Sequence, residues 1–331
     1  LEANPALVIY TVNGAPVFEK GNQTSDTISL PPMPEITMRP GEVRRLQLTH
    51  AGLDQFLNIV LVETNTHTLA PLHLLSYDGI TVPSLDSSTN AILLGGGNRV
   101  EFLVKAGPAG SKYLLTSTTN TAQVGSQPDI PLAMINVEGT PLNMNLPQNL
   151  NPPVTRLPDI QDKEIVRYRH LTFDVEPRTR TELSFQVNGE EFDPYSEGQT
   201  MLLDTAEEWV ISSESSIGFK WGHPFHIHVN WFQVVKINGQ PVPPRWQDTV
   251  VVPKGGSVTI RHRFQQYTGR YVLHCHILPH EDEGMMQGVE VVDPRNLNAL
   301  QAWRMTNLHS FENNGLSADR ATTLDQLPNL F

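Results

Sequence analysis

The chain holds twelve histidines and a single cysteine in 331 residues, and six of those histidines crowd with the cysteine into two short stretches. The first is His223-Pro224-Phe225-His226-Ile227-His228. The second is His274-Cys275-His276-Ile277-Leu278-Pro279-His280, with Met285 and Met286 close behind. Side chains along a strand alternate between faces, so residues i and i+2 point the same way. A strand over Tyr271–His276 puts His274 and His276 on one face and Cys275 on the other. A strand over His226–Phe232 pairs His226 with His228, while His223, ahead of Pro224, falls at the opposite parity. Each stretch thus offers two imidazoles to one side and one ligand to the other. His280 follows Pro279 in a loop, and that loop can bring Met285 back over the cysteine.

Sorted by side, His223, Cys275, His280 and Met285 fall together. Two imidazoles, a thiolate and a weak axial thioether are the ligands of a blue-copper electron-transfer site. Copper would hold Cys275 as the thiolate, which a free cysteine near neutral pH mostly is not. The other side collects His226, His228, His274 and His276, four imidazoles suited to further copper ions that bind oxygen. Cys275 is covalently joined to both His274 and His276, so an electron reaching the sulfur can cross to the second site through two peptide links. Taken singly these features are ordinary: a His-x-His pair is usually a surface feature, and a buried Cys beside a Met is usually core filler. Their joint occurrence is what points to metal. His50, His67, His73, His170, His262 and His309 lack a partner at ligand spacing, except His67 and His73 across a proline, and read as ordinary core or surface residues.

The elements that must position these ligands read as strands. Pro (26) and Gly (23) punctuate short runs rich in Val, Ile, Leu, Thr and Phe, among them Glu42–Leu48, Phe56–Val62, Arg99–Val104, Glu208–Ser212, Phe232–Ile237 and Ser257–Phe264. Turn signals recur between them, as at Asn13-Gly14, Asp78-Gly79, Asn188-Gly189 and Asn238-Gly239. Many short strands with regular turns predict an all-β chain of antiparallel sandwiches or barrels. The length suits two domains at roughly 150 residues each. A Pro- and Asn-rich stretch at Leu142–Pro158 reads as the linker, giving domains 1–155 and 156–295 and a polar tail 296–331 with a short helix around Leu297–Met305. Tyr10-Thr11-Val12-Asn13-Gly14 and Phe185-Gln186-Val187-Asn188-Gly189 open the two domains alike, suggesting two copies of one fold. A net charge of −12 argues against nucleic acid as a partner. No apolar run approaches a membrane span. One cysteine excludes a disulfide framework and Cys-rich metal sites. The start at Leu1-Glu2-Ala3 reads as a trimmed front end.

At these residues the sequence resembles the multicopper oxidases, the laccase-like family. Gly222–Val235 resembles the family's His-Pro-x-His-x-His motif, and Tyr271–Met286 its His-Cys-His-x-x-x-His motif with the axial Met. Asp248-Thr249-Val250 and Gly269-Arg270-Tyr271 fit as well. The resemblance implies two tandem cupredoxin-like Greek-key domains. It implies that His223, Cys275 and His280 bind a type 1 copper with Met285 axial, that His226 binds a type 2 copper, and that His228, His274 and His276 bind a type 3 pair. Glu281 matches an acidic position that in some bacterial members delivers protons near the cluster. The family's cluster uses eight histidines, four of them in His-x-His motifs of an N-terminal domain that have no counterpart here. The first domain, with His67–His73 and Tyr77-Asp78-Gly79, resembles the family's middle domain, which carries no copper. The resemblance therefore implies a complete type 1 site, half of a trinuclear site, and an N-terminal cupredoxin domain supplied by a separate fragment or chain.

The function expected on these grounds is oxidation of a small reducing substrate, phenolic by preference, at the type 1 copper, with O2 reduced to water at the cluster. Trp221 and the Met285 loop are expected to shape the donor pocket beside an exposed His280 edge. Periplasmic or secreted placement follows from the resemblance. The alternative is a blue-copper electron-transfer protein that reduces no oxygen. A copper nitrite reductase also has two such domains but does not flank its cysteine with histidines, and a non-catalytic sandwich leaves the clusters unexplained.

Overall fold

The computed structural model describes residues 8–20, 33–83, 85, 89–119, 129–148, 150, 157–216, 220–296 and 298. The expected helix at Leu297–Met305 and the rest of the tail lie outside the described residues, apart from Asn296 and Asn298. The chain divides into two compact units, 1–153 and 154–331, with Gly52–Asp54 counted in the second.

Each unit has two main sheets. In the first, one sheet runs Val43–Thr49, Arg99–Lys105, His73–Tyr77, Ile80–Thr81, and the other Glu35–Met38, Ile130–Val137, Lys112–Thr118, Leu57–Glu63, Thr68–Ala70. Its core, built on Phe102, Leu61, Ile59, Leu72 and Ile135, is apolar.

In the second unit a six-stranded sheet runs Leu183–Val187, Ile165–Pro177, Thr205–Ser215, Ser257–Phe264, Phe232–Ile237, Gln240–Gln247. A five-stranded sheet runs Gln199–Leu202, Met286–Val292, Gly269–Cys275, His223–Ile227, Thr249–Val252. Alternation drives the pairing of faces: Val258, Ile260, His262 and Phe264 all point inward from one strand. Phe225 reaches across from the five-stranded sheet to touch Phe173, with ring centroids 6.1 Å apart. This sandwich carries all six clustered histidines.

The strand runs read from the sequence reappear, shifted at most by a residue or a few at their ends. Asn13-Gly14, Asp78-Gly79, Asn188-Gly189 and Asn238-Gly239 each have positive φ at both residues, the backbone that a tight hairpin requires. The expectation of purely antiparallel sheets needs correction. Glu35–Met38 pairs in parallel with Ile130–Val137, Ile165–Pro177 with Thr205–Ser215, and Gln199–Leu202 with Met286–Val292. Strands that return to a sheet by a long connection are free to lie parallel, and hydrophobic alternation is silent on direction.

Candidate metal centre

Two adjacent antiparallel strands build the site. His223–Ile227 lies beside Gly269–Cys275, with Phe225 opposite Cys275 and His226 opposite His274. The first strand begins at His223, not His226, and contains Pro224; His228 lies just beyond its end. Val229 has φ 66° and Asn230 N–H donates to His228 O at 2.7 Å, a tight reversal that ends the strand before Trp231. The strand expected over His226–Phe232 is thus two strands with a break at 228–231.

On one face, His223, Cys275 and His280 converge, each offering one ligand atom within 4.8 Å of the others. His223 Nδ1 lies 3.4 Å from Cys275 Sγ and His280 Nδ1 3.8 Å from it, and the two Nδ1 atoms are 3.4 Å apart. All three residues are buried. Burial pushes both imidazoles toward the neutral form, His223 well below its ordinary range and His280 down to about 4. Burial pushes the Cys275 thiol upward. Three soft donors facing one another therefore lack any counter-charge of their own. His280 sits in a one-turn helix, Leu278–Asp282, rather than an open loop. After it the chain turns back: Met285 N–H donates to His280 O at 2.8 Å, and Met285 O accepts from Cys275 N–H at 3.0 Å. Gly284, φ 120°, permits that return, and the Met285 side chain is fully buried.

On the opposite face, His226, His228 and His274 form a second group within the same 4.8 Å limit. His274 Nε2 faces His228 Nε2 at 3.3 Å. His274 Nδ1 has two acceptors, Cys275 O at 3.2 Å and Glu281 Oε2 at 3.1 Å, so Nδ1 carries the proton and Nε2 keeps its lone pair. Asp248 O, 2.8 Å from His226 Nδ1, fixes that ring in the same sense. Burial drives His274 down to about 3 and lowers His226 and His228 as well. His276 completes the face, its ring centroid 5.5 Å from that of His274 and 5.9 Å from that of His226. Its buried Nδ1 has no hydrogen-bond partner among the described residues. His228, by contrast, is exposed.

Glu281 is half-buried, its carboxyl raised by desolvation and by Asp282, while Asp282 and Glu283 face solvent. His280 is 8% exposed, and the ring of Phe185 stacks on one of its faces at 4.3 Å. Sequence reasoning missed Phe185. Its signal was present as an inward position two residues before Val187, on the strand before Asn188-Gly189, but which ring it would meet was not.

Two imidazole groups on opposite faces of one strand pair, one of them with a thiol, within a Greek-key sandwich, define a cupredoxin-type domain equipped for metal. Residues 159–295 match the family described as multicopper oxidase. Residues 159–295 thus carry a domain of that family, and the chain is similar to its laccase-like members, with two tandem cupredoxin-like units. It is 36% identical over 110 residues to a multicopper oxidase of Staphylococcus haemolyticus, covering 32% of this chain and 24% of that protein. It is 33% identical over 123 residues to a laccase of Bacillus subtilis, covering 31% and 23%. A longer match, 25% identical, joins 87% of this chain to 55% of laccase-2 from Botryotinia fuckeliana. The crystal structure of the McoA multicopper oxidase from Aquifex aeolicus shares the fold over 78% of this chain and 57% of its own, with a TM-score of 0.67 and 20% identity. The chain thus spans from just under a quarter to a little over half of the length of these four proteins.

Proposed function

We propose that this chain is the copper-binding part of a laccase-type oxidoreductase, with His223, Cys275, His280 and Met285 as the type 1 ligands. His226 would serve a type 2 copper, and His228, His274 and His276 a type 3 pair. The observation that carries the reading is the single strand segment on which Cys275 faces His223 and His280 while its neighbours face the opposite imidazole group. The donor set fits copper. Neutral imidazoles and a thiol are soft ligands, and a buried thiol that resists ionisation needs a cation to become thiolate. Copper supplies one-electron redox chemistry at the first group and, in a cluster completed by further ligands, the reduction of O2 to water.

The chain's own residues supply the rest. Asp248 O and Glu281 orient His226 and His274 so that Nε2 of each stays free. Cys275 ties the two groups together covalently. Glu281 is the candidate proton carrier, a carboxyl raised by burial within reach of His274. The remaining cluster ligands would come from an N-terminal cupredoxin domain on a separate fragment or chain, docking over exposed His228. The reducing substrate is a small organic donor, phenolic in the first instance, and the setting is periplasmic or secreted. Among the described residues no helix is long and apolar enough to cross a membrane.

Copper added to the reduced chain should give an intense visible thiolate-to-copper band that Cys275→Ser abolishes; a serine variant that stays blue overturns the assignment. A second reading, a blue-copper electron carrier, is favoured by the completeness of the first group against the half-built second. Oxygen uptake with a phenolic donor, measured with and without an added N-terminal domain, separates the two.

A further inference from the structure

Phe185 covers one face of the His280 ring. Its ring lies 4.3 Å from that of His280 at an interplanar angle of 23°, and the residue is 8% exposed. The His223 ring lies 5.2 Å from that of His280, tilted by 53°.

The segment that carries Phe185 is anchored onto the ligand loop. Phe192 N–H donates to Gly284 O at 3.0 Å. A Cβ at Gly284 would come within 3.1 Å of both Phe185 O and Glu191 Cβ. Glu191 is tied down in turn by Ser184 Oγ at 2.5 Å and by Arg178. The hairpin 183–192 and the loop 280–285 thus clamp one another, and the stack follows from that clamp.

We infer that Phe185 is a positioning residue for His280: it fixes the plane of the imidazole and keeps water from one face of the ring. The inference rests on the reading that His280 holds copper. A thiolate-ligated Cu(II) site carries one more positive charge than its Cu(I) form, so an apolar ring on that face favours the reduced form and raises the reduction potential.

The test uses the full chain and its Phe185→Leu, Phe185→Met and Phe185→Tyr variants, each checked for native circular dichroism. In the metal-free protein, the His280 ring protons should carry a ring-current shift in NMR spectra that Tyr preserves and Leu or Met abolishes. In the copper-loaded protein, the equilibrium read is Cu(II) protein plus hexacyanoferrate(II) giving Cu(I) protein plus hexacyanoferrate(III), one electron and no proton. Leu or Met should shift its constant at least tenfold toward Cu(II), 59 mV for one electron, while Tyr stays near the parent. A shift below tenfold in both folded apolar variants, or no loss of the ring-current shift, overturns the inference. A parent chain that never shows the thiolate band overturns the copper reading instead, and the metal-free NMR comparison still decides the stack.

Discussion

Val229 shows what a single residue can cost at such a site. A β-branched side chain at φ 66° is a genuine outlier, and here it sits next to His228 with 54% of its surface exposed, so packing does not reward the conformation. Relief of strain should outweigh the greater unfolded-state freedom of glycine. Val229→Gly is expected to stabilise the chain by about 1 kcal/mol, read as a higher urea midpoint at unchanged slope. A lower midpoint would show that the turn is unstrained. The convergence of His223, Cys275 and His280 on one face was legible in the sequence because parity along a strand is a local property. The strain at Val229 was not, since it arises where the chain must leave the strand to bring His228 beside His274.

Strands and their neighbours explain a second feature, a polar group set inside the core of the second sandwich. Arg169 and Glu207, on the parallel pair Ile165–Pro177 and Thr205–Ser215, form a bidentate ion pair at 2.6 and 3.0 Å, with Trp209 Nε1 donating to the same carboxylate at 2.7 Å. Burial alone would raise the Glu207 carboxyl, but the Arg169 charge and hydrogen bond outweigh it and hold it below the usual carboxylate range. Arg169→Met leaves that carboxylate buried without its bidentate ion-pair partner and should cost about 3–5 kcal/mol by denaturant titration; a loss under about 1 kcal/mol would mean the pair is effectively solvated. Opposite Glu207 in the register sits His262, fully buried against the Trp209 ring, with neither ring nitrogen hydrogen-bonded among the described residues. Burial drives its pKa from 6.5 to about 3. Between those values the unfolded chain binds a proton that the folded chain refuses, so stability falls as pH drops from about 6.5 to about 3. Glu207 acts in the same direction, its contribution vanishing as pH falls through its lowered folded value. His262→Leu should flatten the acid slope and gain about 1 kcal/mol at neutral pH, measured as ΔG of unfolding against pH for variant and parent. An unchanged slope would show that His262 has a proton partner when folded. Hydrophobic alternation in Ser257–Phe264 made the inward direction of His262 readable, whereas its orphaned nitrogens follow from the facing strand, which no local pattern names.

For the molecule as a whole, the two imidazole groups differ in completeness. The first has its donors buried and converging; the second leaves His228 exposed. Equilibrium dialysis of the chain alone should therefore find about one tightly held copper per chain, with any further copper weak and removed by a mild chelator. Two or more tight coppers would show that the second group is self-sufficient. Several strands and their turns could be read from Gly, Pro and alternation, because these act within a few residues. The parallel pairings could not, since they depend on how long connections cross the sandwich.

Those crossings set the order in which the chain can assemble. Cys275 and His280 are five residues apart, while His223 joins them from 52 residues away. Parallel pairing of Ile165–Pro177 with Thr205–Ser215 must also close a long loop before it gains anything. The thiol and one imidazole are thus neighbours along the unfolded chain before folding brings the third donor to them. Copper present during refolding should be captured early by that local pair and trap misassembled chains, whereas copper supplied after refolding meets a finished cradle, and the yield of blue protein should depend on which comes first.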